Sequence, residues 1–252
     1  MKKIIVLTIM LVMTLSFLHA GEGTKKLRIA VAGNLSFAIK DLKQEFQKAN
    51  PDLSLEIEIG STGALTAKIL NGAEFDLMLA ADMARPLKLQ EAGFAVNKPV
   101  VYAKGRVIIF SAKPRDLKKG LEVIKNKNIK TIAIASIKLA PYGKAAWDAI
   151  EKDGLTAFKD KLVYTQNVSQ AVQYALSSTD LAFIAKSAVF APKMKAYNKE
   201  FVHWVEVDPK LYSPIEQGMI LMKGKNQKDA DKFYKYMLSA NAGKILKKYG
   251  YE

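Results

Sequence analysis

Short apolar runs alternate with helix-length amphipathic segments along most of this chain, and that alternation limits the folds open to it. Leu27 to Ala32, Leu53 to Ile59 and Phe75 to Ala80 read as strands. Between them, Leu35, Ala38, Ile39, Leu42 and Phe46 recur at three- and four-residue spacing, as do Leu65, Ile69 and Leu70. Strand-helix-strand order predicts a sheet with helices on both faces, and the unbroken run Phe75 to Ala80 suits a strand buried on both sides. Asp82 to Gly93 reads as a further helix. Thr131 to Ala135, Leu162 to Tyr164 and Leu181 to Ala185 set out a second α/β unit, with helices at Ala145 to Ile150 and from Asn167 onward. Val100 to Ala103 and Arg106 to Phe110 flank Lys104-Gly105 as an extended passage from one unit to the next. Strands at His203 to Val207 and Gly218 to Met222 follow, then helices at about Lys228 to Leu238 and Ala240 to Tyr249.

The chain begins with Met1-Lys2-Lys3 and an apolar stretch to Leu18, closed by Leu18-His19-Ala20. A basic start, an apolar middle and a small residue at the end describe a secretory leader cleaved after Ala20. The stretch is too short, and too plainly followed by polar sequence, to span a membrane. The protein is expected to be exported and soluble in the periplasm. With no cysteine in the sequence, neither a disulfide framework nor a lipid-modified cysteine is available. Lys and Arg number 39 against 24 Asp and Glu, a net charge of +15 that falls to +13 once Lys2 and Lys3 leave with the leader. Such a field favours encounter with anions. The lysines are scattered over many helix faces and no RNA-recognition signature accompanies them, so no nucleic-acid partner is expected.

Catalytic chemistry finds little material. Only His203 remains after the leader, and Gly60-Ser61-Thr62-Gly63 lacks the spacing of a Gly-x-Ser-x-Gly elbow. Phosphate-loop and dinucleotide glycine patterns are missing. Glu56 and Glu58 share the solvent side of their strand, and Asp76 and Asp82 read as turn or cap residues. No enzyme, metal site or cofactor is expected.

What stands out is a device used four times: a strand ending in small or polar residues that open a helix. It occurs at Gly33-Asn34-Leu35-Ser36, Gly60-Ser61-Thr62-Gly63, Ala140-Pro141-Tyr142-Gly143 and Gln166-Asn167-Val168-Ser169. Asn34 and Ser36 occupy positions where caps belong, and Ser61 sits at an N-cap. Pro141 suits a first helical turn, where a missing N–H costs nothing. Helix starts expose backbone N–H groups without intrahelical partners and carry the positive end of the helix dipole, so an oxyanion can bind there.

These four motifs, with Tyr212-Ser213-Pro214-Ile215-Glu216-Gln217, together resemble the periplasmic molybdate-binding proteins of ABC importers, from about Leu27 to Gly250. The resemblance implies a type II periplasmic binding fold, two α/β lobes with a ligand cleft between them. The leader would be 1–20, the first lobe 21–103 plus 206–252, and the second 104–205. It also implies an oxyanion cage in which Ser61 offers its hydroxyl and backbone N–H, while Asn34, Tyr142 and Val168 offer backbone N–H groups. Gly33 and Ala185 lie at its edge. Some relatives carry a ligand-contacting tyrosine where this chain has Ala185, which lacks a donor, and the Tyr142 phenol is expected to replace it. The ligand would be molybdate or tungstate, the partner a membrane permease, and the protein a monomer. A receptor for sulfate or phosphate on the same fold, and an exported hydrolase or transferase using Ser61, are the alternatives.

Overall fold

The computed structural model describes residues 24–252, so the expected leader, Met1 to Ala20, lies outside the described residues. Among the described residues no helix is long and apolar enough to cross a membrane. The first sheet is built from β1 (Lys25–Ala32), β2 (Leu53–Gly60), β3 (Leu77–Leu79), β4 (Val100–Gly105) and β10 (Ile215–Leu221), in the order β2-β1-β3-β10-β4. The second contains β5 (Val107–Phe110), β6 (Ile132–Ala135), β7 (Leu162–Thr165), β8 (Leu181–Ala185) and β9 (Trp204–Glu206), in the order β7-β6-β8-β5-β9. In each, three strands run parallel. The remaining strands join antiparallel, β10 between β3 and β4, and β5 between β8 and β9.

Burial explains the composition of these strands. All four residues of Ile132-Ala133-Ile134-Ala135 are buried, because helices cover both faces of a parallel core strand. Edge strand β2 instead buries Leu53 and Leu55 and exposes Glu56, which pairs with Lys26 at 2.9 Å. The helices are α1 (Ile39–Ala49), α2 (Thr62–Leu70), α3 (Ala84–Glu91), α4 (Pro141–Lys152), α5 (Val168–Ser177), α6 (Gln227–Met237) and α7 (Ala240–Lys248). Leu42 and Phe46 of α1 are buried, and Phe46 meets Phe233 of α6 edge-on at 4.9 Å between ring centres. The returning end of the chain is thereby packed against its beginning.

The two sheets are joined where β4 gives way to β5 at Arg106, and again between β9 and β10. The extended passage expected around Lys104-Gly105 is therefore two strands, one in each sheet. Asp82, read as a turn or cap residue, precedes the N-cap Met83 of α3 and accepts the Arg85 N–H at 2.9 Å. Asp76 accepts the Arg28 N–H at 2.7 Å and so ties β3 to β1.

Two expectations change. The helix expected straight after β1 starts as a turn of 3-10 helix, Gly33–Phe37, and only then continues as α1. Neither segment has a side-chain cap, so Asn34 and Ser36 do not cap. Asn34 is fully buried and its amide is engaged inside the protein, as described below.

At the start of α4 a Cβ on Gly143 would collide with the Ala135 carbonyl at the end of β6. Gly143→Ala should therefore lower stability in urea unfolding. The overpacking cost of about 1–3 kcal/mol exceeds the gain of at most ~1 kcal/mol from alanine in a helix, because the obstacle is backbone.

Candidate anion-binding site

All four strand-to-helix junctions open onto one small cavity. Gly33, Asn34, Ser61 and Thr62 line it from the first lobe, and Ala140, Pro141, Tyr142, Asn167 and Val168 from the second. It lies at the carboxyl ends of β1, β2, β6 and β7, where open α/β sheets place their ligands. Among the described residues no charged side chain lines it. A larger hollow of about 290 Å³ between Ile69 and Asn226 touches only the first lobe and contains none of the four junctions.

Donors dominate the walls. The backbone N–H groups of Asn34, Ser61, Tyr142 and Val168 have no protein acceptor among the described residues, as expected of helix starts. Ser61 is the N-cap of α2 and accepts the Ala64 N–H at 3.4 Å, which leaves its hydroxyl proton uncommitted. Pro141 occupies the first turn of α4. At α5 the cap is Asn167, whose Oδ1 accepts from the Gln170 N–H at 3.0 Å and the Ser169 hydroxyl at 2.7 Å. Three α-helices thus direct their positive ends at the same point.

Side chains behind the walls settle what each position offers. Both amide protons of Asn34 are taken, by Gln217 Oε1 at 2.7 Å and the Tyr251 hydroxyl at 2.8 Å. Its backbone N–H is consequently the only donor Asn34 has left. The Tyr142 phenol is lodged against Gly105, where a Cβ would collide with it, and lies beside the Asn34 amide. Ala185 does not line the cavity: it is fully buried in β8 opposite Val107 of β5. Two residues later, Ser187 sends its hydroxyl to the Asn34 carbonyl at 2.9 Å.

Thr62 and Asn167 were not singled out in the sequence as wall residues. Thr62 accepts the Ala81 N–H at 3.0 Å, and its own hydroxyl proton has no acceptor among the described residues. Adjacency to Ser61 and to Val168 was the available signal, since consecutive residues of a helix start turn toward the same space.

The lobes touch directly around this cavity. Gly63 of α2 donates its N–H to the Leu139 carbonyl at 2.8 Å, and Arg85 reaches the Lys138 carbonyl at 2.8 Å. A Cβ on Gly63 would lie 3.0 Å from the Leu139 backbone. Gly63→Ala should fold with unchanged or higher ligand-free stability, since alanine favours helix. Ligand affinity, measured by calorimetry, should drop about tenfold because lobe closure must yield space, a cost of ~1.4 kcal/mol.

Tyr102, Tyr142, Tyr212 and Tyr251 gather near the crossing strands. Burial, reinforced for Tyr102 and Tyr142 by neighbouring phenols, pushes their pKa values up. Folded protein then retains protons that the unfolded chain releases above about pH 10, so stability must fall as pH rises past that value. Urea midpoints should be level between about pH 7 and 9 and decline by about pH 11.

Comparison with known proteins agrees with this architecture. Residues 27–252 match the family model described as bacterial extracellular solute-binding protein. The chain is 35% identical over 230 residues to the molybdate-binding protein ModA of Azotobacter vinelandii, covering 90% of this chain and 89% of that protein. It is 31% identical over 226 residues to ModA of Rhodobacter capsulatus, covering 88% and 86%. The solved structure of the Azotobacter vinelandii periplasmic molybdate-binding protein superposes with a TM-score of 0.82 at 28% identity, covering 90% of this chain and 98% of that one. The chain belongs to the bacterial extracellular solute-binding proteins.

Proposed function

We propose that this protein captures molybdate or tungstate between its lobes and delivers it to a membrane permease of the ABC type. The observation that carries this is the cavity itself: backbone N–H groups and a serine hydroxyl converge from both lobes with no charged side chain among them. A fully deprotonated tetrahedral oxyanion presents acceptors only, so donors alone satisfy all its oxygens. Helix dipoles and exclusion of water strengthen each bond. Relatives named for molybdate binding supply the identity of the anion.

In this reading Ser61 gives its hydroxyl and N–H, and Asn34, Tyr142 and Val168 give N–H groups, with Gly33 at the rim. Ala185 drops out of the cage, since it does not reach the cavity. The Tyr142 phenol braces the Asn34 side chain. The lobes are 21–103 with 206–252, and 104–205, closing over the anion because only the closed state pairs donors from both sides. Residues 1–20 direct export, and the protein acts in the periplasm as a monomer with neither a catalytic step nor a nucleic-acid partner. Hydrogenphosphate is disfavoured because its O–H would confront a donor. Sulfate, also fully deprotonated, is separated only by cavity size and donor placement.

Calorimetry of the mature protein with molybdate, tungstate, sulfate and phosphate tests the proposal. Tight binding of molybdate or tungstate is expected, and binding of neither overturns it. Ser61→Ala should weaken affinity by roughly 10- to 150-fold, since a hydrogen bond to a charged group contributes about 1.5–3 kcal/mol.

A further inference from the structure

The Asn34 N–H sits in a single turn of 3-10 helix rather than at the head of a long α-helix, so little within that turn fixes its direction. What fixes it lies outside the cavity, in a residue more than two hundred positions away. Gly250, with φ of 76°, turns the chain back after α7. Glu252 then pairs with Lys104 of β4 through both backbone groups, at 2.6 and 3.0 Å. Its carboxylate accepts Nε and Nη2 of Arg106 at 3.0 and 2.8 Å. Between these anchors the Tyr251 ring is buried and its hydroxyl arrives behind Asn34.

There it accepts from Asn34 Nδ2 at 2.8 Å and donates to the Asn34 carbonyl at 3.0 Å. Ser187, from the second lobe, donates to that same carbonyl at 2.9 Å. A carbonyl has two lone pairs and a primary amide two protons. Both pairs and both protons of Asn34 are therefore committed, and its backbone N–H is the donor left to face the cavity.

We propose that Tyr251 is a positioning residue for anion binding: its hydroxyl grips Asn34 at both its side-chain amide and its carbonyl, and so fixes the residue whose N–H opens onto the cavity. This inference rests on the anion-binding reading above. Tyr251 belongs to the first lobe with Asn34 and keeps hold of it when the lobes part. Ser187 belongs to the second and completes the grip only on closure. The Asn34 carbonyl, in the peptide group that follows the one carrying the cavity-facing N–H, thus gains its second donor when the lobes close. Preorganisation of this kind acts by removing an ordering cost from binding.

The test measures molybdate and tungstate affinity of Tyr251→Phe, Ser187→Ala, the double variant, and Tyr251→Phe combined with Ser61→Ala. Tyr251→Phe keeps the packed ring and loses only the hydroxyl; it should weaken affinity about tenfold. Because Tyr251 and Ser187 act on one carbonyl, their double variant should lose clearly less, or clearly more, than the product of the single losses. Losses from Tyr251→Phe and Ser61→Ala should multiply, since those groups serve different donors. A purely structural tyrosine would produce multiplying losses in both pairs, and that result overturns the proposal. So does affinity of Tyr251→Phe within twofold of the parent. Should Tyr251→Phe fail to fold, Ser187→Ala alone decides, and unchanged affinity there overturns the shared grip. Parent protein that binds neither oxyanion rejects the functional reading instead, which keeps the two failures distinct.

Discussion

Backbone N–H groups at helix starts have no partner inside their own helix, and a buried one left unpaired is costly. In this protein four of them face a single small cavity, and much of the structure serves to keep them there. Parallel strands deliver each junction to the same edge of its sheet. Antiparallel β10 and β5 lie one strand in from the edge strands β4 and β9, beside the two crossings between the sheets. A guest with acceptors on every side relieves the shortage without any change of protonation in the protein.

The first turn of α2 shows how closely the donors are apportioned. Ser61 turns its N–H to the cavity, Gly63 gives its own to Leu139 of the opposite lobe, Ala64 bonds the cap hydroxyl, and Leu65 bonds the Ser61 carbonyl. One helix start therefore faces the cavity, the opposite lobe and its own cap at once. Glycine is needed at the second of these duties because the opposing backbone comes too near for a side chain.

Local pattern carried a large part of this into the sequence. Apolar periodicity located most strands and helices to within a few residues, since each is buried by the same face that makes the pattern. The junctions at Ser61, Tyr142 and Val168 were legible because small residues, a cap hydroxyl and a helix-start proline have local causes. Asn34 was legible as a position but not as a role. It looks like a cap, and only Gln217 and Tyr251, brought in from the far end of the chain, turn its side chain inward. The same long-range contact hid Ser187, which carries no motif. Ala185 was misjudged in relevance because the resemblance supplied a position, whereas strand pairing with Val107 decides where the side chain can go. The identity of the anion came from resemblance, since neutral donors suit any small deprotonated oxyanion.

The missing charge in the cavity wall has one more consequence. A site that held its guest with lysine or histidine could be loosened by moving a proton, so a difference in acidity between compartments would help empty it. Nothing lining this cavity titrates near neutrality, and its donors keep their strength wherever the protein is. Release of an anion held this way would then have to come from parting the lobes, since only their closed arrangement pairs it with donors from both sides.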